Sequence, residues 1–227
     1  MPVHHVATGV ELLALTDVGL AVSDRGAMAR FLCGHLGLHE LDRTPDRVVL
    51  GAAERAATLS LVAAGGPRRA AAAGRLVLRV ADVERAAAAL PAATVVEGDR
   101  IERAAFAGPE GIGLGFALVA GGGIDYDVDH VLLRVADPNA TRVAFAEAGF
   151  VPRARALHVA DKYISLAASA GGGERPLLRH IGLRVDSVEA VAATARARGL
   201  PTDEPGTDGA LTVVLPGPER IRLRFAE

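Results

Sequence analysis

The chain has 227 residues, half of them apolar and 23% charged, with a formal net charge of −2. This composition excludes a disordered chain, and the charge gives no bulk attraction toward nucleic acid or acidic lipid. The lone Cys33 excludes an internal disulfide, and the absence of Trp argues against a base-stacking platform.

The first predicted strand is Val18–Val22, and Ser23-Asp24 behind it can cap a helix from Gly26 to Leu36, closed by Gly37. β-prone runs follow at Val48–Leu50 and Thr58–Val62. A second strand, Leu76–Val80, leads through Ala81-Asp82 into a helical stretch from Val83 to Leu90, with a later β run from Gly111 to Val119. A third, Val131–Val135, leads through Ala136-Asp137 into Asn139–Ala148 and Gly149, then a run at Tyr163–Ala167. The fourth, Ile181–Val185, leads through Asp186-Ser187 into Val188–Arg198 and Gly199, then runs at Leu211–Leu215 and Ile221–Phe225.

The four opening phrases begin at 18, 76, 131 and 181, intervals of 58, 55 and 50 residues. Recurrence at this length marks one structural unit copied along the chain. Gly65-Gly66-Pro67, Gly121-Gly122-Gly123 and Gly171-Gly172-Gly173 fall between the copies and read as linkers. No segment has the roughly 18 apolar residues of a membrane helix. Met1 to His5 shows no signal-peptide pattern, so a cytoplasmic protein is expected.

Alternation along the strands assigns faces. His180, Gly182 and Arg184 share one face, opposite Ile181, Leu183 and Val185. His130, Leu132 and Arg134 share the corresponding face of the third copy, Arg75, Val77 and Arg79 that of the second, and Asp17, Gly19 and Ala21 that of the first. Arg220, Arg222 and Arg224 alternate with Ile221, Leu223 and Phe225 in the last strand.

The repeat, with Phe31-Leu32-Cys33-Gly34-His35-Leu36-Gly37-Leu38 and the hairpin phrases Gly108-Pro109-Glu110-Gly111 and Gly217-Pro218-Glu219-Arg220, resembles the vicinal oxygen chelate superfamily of glyoxalases, bleomycin resistance proteins and extradiol dioxygenases. The resemblance implies an α+β fold of four βαβββ modules, paired into two curved mixed sheets with helices outside and a cup inside each. It implies an N-terminal pair over 1–120, a glycine linker at 121–123 and a C-terminal pair over 124–227.

It further implies a divalent metal, Fe(II) or Mn, Zn or Ni, held by a His on each opening strand and a Glu on the last strand. His130 and His180 stand at the histidine positions, but Arg224 stands at the glutamate position, and Asp17, Arg75 and Gly115 occupy the matching places in the N-terminal half. A guanidinium repels a dication and suits an anion instead. Asp161 and Glu227 are the carboxylates that could complete the set by sequence position.

Two readings stand side by side. One is a metal-dependent, dioxygenase-like or glyoxalase-like enzyme with His130 and His180 on the metal and Tyr163 and Arg224 in catalysis. The other is a metal-free binding or drug-resistance protein. In both, Arg134, Arg184, Arg222 and Arg224 hold a small anionic ligand in the C-terminal cup. Neither involves a nucleic acid or membrane partner, and pairing of modules within one chain or across a homodimer stays open. Cys33 reads as core-facing, His35 and His39 as surface, His4 and His5 as terminal, and Asp17 as a polar residue at the cup rim.

Overall fold

Asp24, Asp82, Asp137 and Ser187 determine where strand gives way to helix. Each sits in extended backbone and accepts a hydrogen bond from the first helical turn: from Ala27 N at 2.9 Å, Arg85 N at 2.9 Å, Asn139 N and Ala140 N at 2.9 and 3.0 Å, and Ala190 N at 3.1 Å. The helices are α1 (Arg25–His35), α2 (Val83–Ala88), α3 (Pro138–Glu147) and α4 (Val188–Ala197). Gly37, Gly149 and Gly199 follow α1, α3 and α4 with φ of 61°, 102° and 63°, the left-handed region that stops a helix without a β-carbon clash. The computed structural model describes residues 10–53, 56–65, 72–91, 95–96, 104–118, 125–169, 177–203 and 209–227; His4, His5, Gly66-Pro67 and the glycine runs at 121–123 and 171–173 lie outside them.

Module 1 contributes β1 (Leu12–Val22), β2 (His39–Arg43), β3 (Arg47–Gly51) and β4 (Thr58–Ala63). Module 2 contributes β5 (Ala72–Val80), β6 (Val95–Val96), β7 (Ala104–Ala107) and β8 (Gly113–Leu118). Module 3 contributes β9 (Val128–Val135), β10 (Val151–Arg153), β11 (Ala156–Val159) and β12 (Lys162–Ala168), and module 4 β13 (Leu177–Val185), β14 (Thr202–Asp203), β15 (Leu211–Val214) and β16 (Arg222–Ala226). The fold is α+β, with the expected βαβββ order in each copy. Within every module the opening strand runs parallel to the last: β1 beside β4, β5 beside β8, β9 beside β12, β13 beside β16. The phrase residues Val18, Leu20, Val22, Leu76, Leu78, Val80, Val131, Leu133, Val135, Ile181, Leu183 and Val185 are all buried in one core, which also takes Met28 and Leu32 of α1, Phe145 of α3 and Val191 of α4.

The pairing between modules differs from the expected N-terminal and C-terminal pairs. β1 pairs antiparallel with β13, joining modules 1 and 4, and β5 pairs antiparallel with β9, joining modules 2 and 3. The two halves of the sheet meet between β5 and β13 at a single residue pair, Ala72 opposite Leu177. All four opening strands carry the same apolar face, so that face does not choose partners. The other face discriminates: Gly19 lies opposite His180 and Gly182 opposite Asp17, so each large side chain lies against a glycine.

Carboxylates tie the modules the other way around. Glu110 Oε1 accepts from Ser23 N at 2.7 Å and Asp24 N at 3.2 Å, linking module 2 to the start of α1. Glu219, at the same place in the second Gly-Pro-Glu hairpin, accepts from Ala136 N at 2.5 Å, linking module 4 to module 3. Strand pairing joins 1 to 4 and 2 to 3, the hairpin glutamates join 2 to 1 and 4 to 3, and the modules close into a ring. One further tie is buried: Lys162 Nζ pairs with Asp127 Oδ2, and Asp127 Oδ1 accepts from Ala57 N at 2.8 Å, just before β4.

Candidate functional site

In the cup of modules 1 and 4, the register brings together two side chains 163 positions apart. His180 Nε2 lies 2.5 Å from Asp17 Oδ2. Asp17 Oδ1 accepts from Thr58 Oγ1 at 2.7 Å and Ser60 Oγ at 3.0 Å, both on β4. Asp17 is only 8% exposed, and a carboxylate so buried is stable only with its oxygens satisfied, as they are here. With Nε2 committed to Asp17, Nδ1 is the other nitrogen of the half-buried His180 ring, and among the described residues it makes no hydrogen bond. Arg224 stands opposite Gly182 on β16, Arg222 lies 3.5 Å from Asp203, and Arg184 is exposed on the same strand as His180. Three of the four expected anion-binding arginines therefore belong to module 4.

His130, Tyr163 and Arg134 belong to the other cup, of modules 2 and 3. A bulge places Val77 opposite His130 and Leu78 opposite Val128, leaving Asp129 as the extra residue. Asp129 turns onto its neighbour, with Oδ2 at 2.8 Å from His130 Nδ1, and Oδ1 accepts from Arg79 Nε at 2.8 Å. Arg79 also pairs with Asp161, whose side chain is 67% exposed. Burial raises the Asp129 carboxyl pKa, but hydrogen bonds from His130 and Arg79 outweigh it and hold the group below its ordinary value. Asp161 is lowered in the same way, burial being outweighed by Arg79. Tyr163 stacks on His130 with ring centroids 4.2 Å apart and planes inclined by 12°. The Arg134 side chain runs over Gly74, where a β-carbon would come 2.9 Å from Nε.

The two histidines implied as ligands of one metal thus sit in different cups, and each is held by an aspartate. Neither cup offers the implied donor set. In the first, both Asp17 oxygens and His180 Nε2 are bonded to one another or to hydroxyls, with Arg224 on the adjoining strand. In the second, Arg75 occupies the position of the other opening-strand ligand. Among the described residues, no group of three His, Cys, Asp or Glu side chains comes together as a cation site. Asp161 is engaged by Arg79, and Glu227 Oε1 accepts from Val188 N at 3.1 Å. The residues present do not fit the metal centre that the resemblance implies.

Cys33 is half-buried, and burial, with Glu40 adding, pushes its thiol pKa up, away from a nucleophilic thiolate. His35 is engaged in the fold, its Nδ1 2.9 Å from Ala89 O, and His39 is exposed on β2. The partnership of Asp17 with His180 escaped the sequence reading, although one signal was present. Asp17-Val18-Gly19 and His180-Ile181-Gly182 share a spacing that, in an antiparallel pair, sets each polar residue against the other strand's glycine. Thr58, Ser60 and Asp129 carried no such signal.

Residues 3–112 match the Glyoxalase/Bleomycin resistance protein/Dioxygenase superfamily model. A comparison with curated protein sequences found no match. Among solved structures, the fold is similar to a putative dioxygenase from Bacillus subtilis (14% identity over 95% of this chain and 86% of that one, TM-score 0.70). It is also similar to glyoxalase I from Zea mays (16%, 95% and 92%, TM-score 0.63) and to the cppA protein of Streptococcus pneumoniae (13%, 96% and 99%, TM-score 0.62). Among the described residues no helix is long and apolar enough to cross a membrane. With the repeat, the βαβββ modules and these matches in agreement, the chain has the glyoxalase/dioxygenase-like fold, and its residues 3–112 match the vicinal oxygen chelate superfamily.

Proposed function

We propose that this protein binds a small anionic molecule, without a metal ion, in the cup of modules 1 and 4. The observation that carries this reading is the 2.5 Å contact between Asp17 and His180, which commits the side chains at both opening-strand positions to each other. Arg184, Arg222 and Arg224 give that cup a positive wall suited to a carboxylate or phosphate. Asp17 fixes the imidazole ring, so Nδ1 can exchange a hydrogen bond or a proton with the bound molecule.

Metal analysis of the purified protein and calorimetric titration with inorganic phosphate and succinate test the reading. The expected result is metal far below one equivalent and anion binding weakened at least tenfold in Arg224→Ala. One tightly held divalent ion per chain, lost together with His180 in a His180→Ala variant, would replace it with the metal-dependent reading. Unchanged anion binding in Arg224→Ala would remove the site.

A further inference from the structure

The far side of the sheet carries a surface that the cup of modules 1 and 4 does not use. Strand alternation turns Val213 of β15 and Phe225 of β16 away from Thr212 and Arg224 and toward the helices. There they line an apolar hollow of about 30 Å³ together with Val191 and Ala195 of α4, Leu200 beyond it, and Ala148 at the end of α3. At its rim Arg198 Nη1 donates to Glu147 O and ties α4 to the end of α3. A space of that size holds about two or three water-sized spheres, the bulk of one isopropyl group. One turn back along α3 from Glu147 stands Val143, on the same side of the helix. It is 57% exposed, the most exposed large apolar side chain among the described residues.

A solvated valine next to an apolar hollow of its own size is a surface that another molecule would cover. Knob and hollow share one face, so a single two-fold axis lets two copies fill both hollows at once, as an isologous interface requires. The charges suit a meeting of like with like. Glu147 and Glu189 are exposed on these helices alongside Arg196 and Arg198, two acids with two bases, so two copies of the face carry no net repulsion. Ala140, Ala193 and Ala197 are exposed on the same helices and leave room for close approach. We infer that the outer face of α3 and α4 is a two-fold contact between two copies of this chain, with Val143 of each seated in the hollow of the other. The modules stay paired within each chain, and the contact lies behind the strands that carry Arg224 and His180.

Sedimentation equilibrium of the full chain over a wide concentration range tests this, with circular dichroism as the check that each variant is folded. Wild type is expected to show a reversible monomer–dimer equilibrium. Val143→Asp brings a carboxylate to the hollow and should weaken the dimer at least tenfold. Ala195→Leu fills the hollow from within and should weaken it as much with the Val143 knob intact, so the two variants check each other. Val151→Asp, at a valine 50% exposed on β10 and away from this face, should leave the dimer unchanged. A protein that stays monomeric at every concentration would overturn the inference. So would a dimer that survives both Val143→Asp and Ala195→Leu, which would place the contact elsewhere or in an exchange of modules.

Discussion

The imidazole of His180 occupies the space that a side chain at Gly19 would need. A β-carbon at residue 19 would lie 2.3 Å from His180 Nδ1 and 2.4 Å from Cε1. Gly19→Ala is therefore expected to expel the ring from Asp17 at a cost of about 1–3 kcal/mol, typical of overpacking. The reciprocal change, Gly182→Ala, meets the Asp17 β-carbon at 2.8 Å and its backbone nitrogen at 3.1 Å, which cannot rotate aside. Denaturant unfolding should rank Gly182→Ala as the more damaging. A wild-type Cm in either variant would contradict the contact.

Asp17 and His180 should behave as a unit. Removing the carboxylate leaves the Thr58 and Ser60 hydroxyls and the imidazole without their acceptor, a loss of about 2–3 kcal/mol for hydrogen bonds to a charged group. In a double-mutant cycle of Asp17→Ala and His180→Ala, the second substitution should cost clearly less once the first is present. Additive losses would mean that the two side chains are not coupled in solution.

The Asp129–Arg79–Asp161 network should be felt in acid. Both carboxyl groups are depressed in the folded protein, so their contribution is complete above the ordinary carboxylate value of about 3.9 and is lost as pH falls below it toward the folded value. The difference in Tm between wild type and Asp129→Asn is expected to be largest near pH 5–6 and to shrink toward pH 3. A gap that stays constant over that range would show that the carboxylate charge is not what stabilises the network.

Lys162 is the only lysine in the chain, and it is buried with Asp127. Lys162→Met leaves an uncompensated buried carboxylate and should cost about 3–5 kcal/mol, whereas Lys162→Met with Asp127→Asn should recover much of that loss. Urea denaturation of the two variants checks this, and a double variant no better than the single one would refute the pairing.

The strand-to-helix turns, the capping aspartates, the terminating glycines and the buried phrase residues were legible in the sequence, because each is set by neighbours within a few positions. The choice of partner strand was carried only by the matching spacing of Asp17-Val18-Gly19 and His180-Ile181-Gly182, which has no meaning until the two strands are set antiparallel. Four nearly identical apolar faces can each seal against any other, and the glycine joints carry no directional information. That choice decided the site. Once β1 paired with β13 rather than with β5, His180 met Asp17 instead of His130, and Arg134 and Tyr163 were separated from the other arginines. The Asp129 bulge was equally hidden, since an added residue in a ladder appears only when the opposing strand is known.

The ring of modules also dictates an order of assembly. β5 and β9 open consecutive modules and can dock as soon as the third module leaves the ribosome, whereas β1 must wait with an open edge until β13 has been made. Synthesis therefore passes through a stage in which the first copy is complete yet unsealed, a period of exposure to misassembly that a protein pairing adjacent copies would avoid.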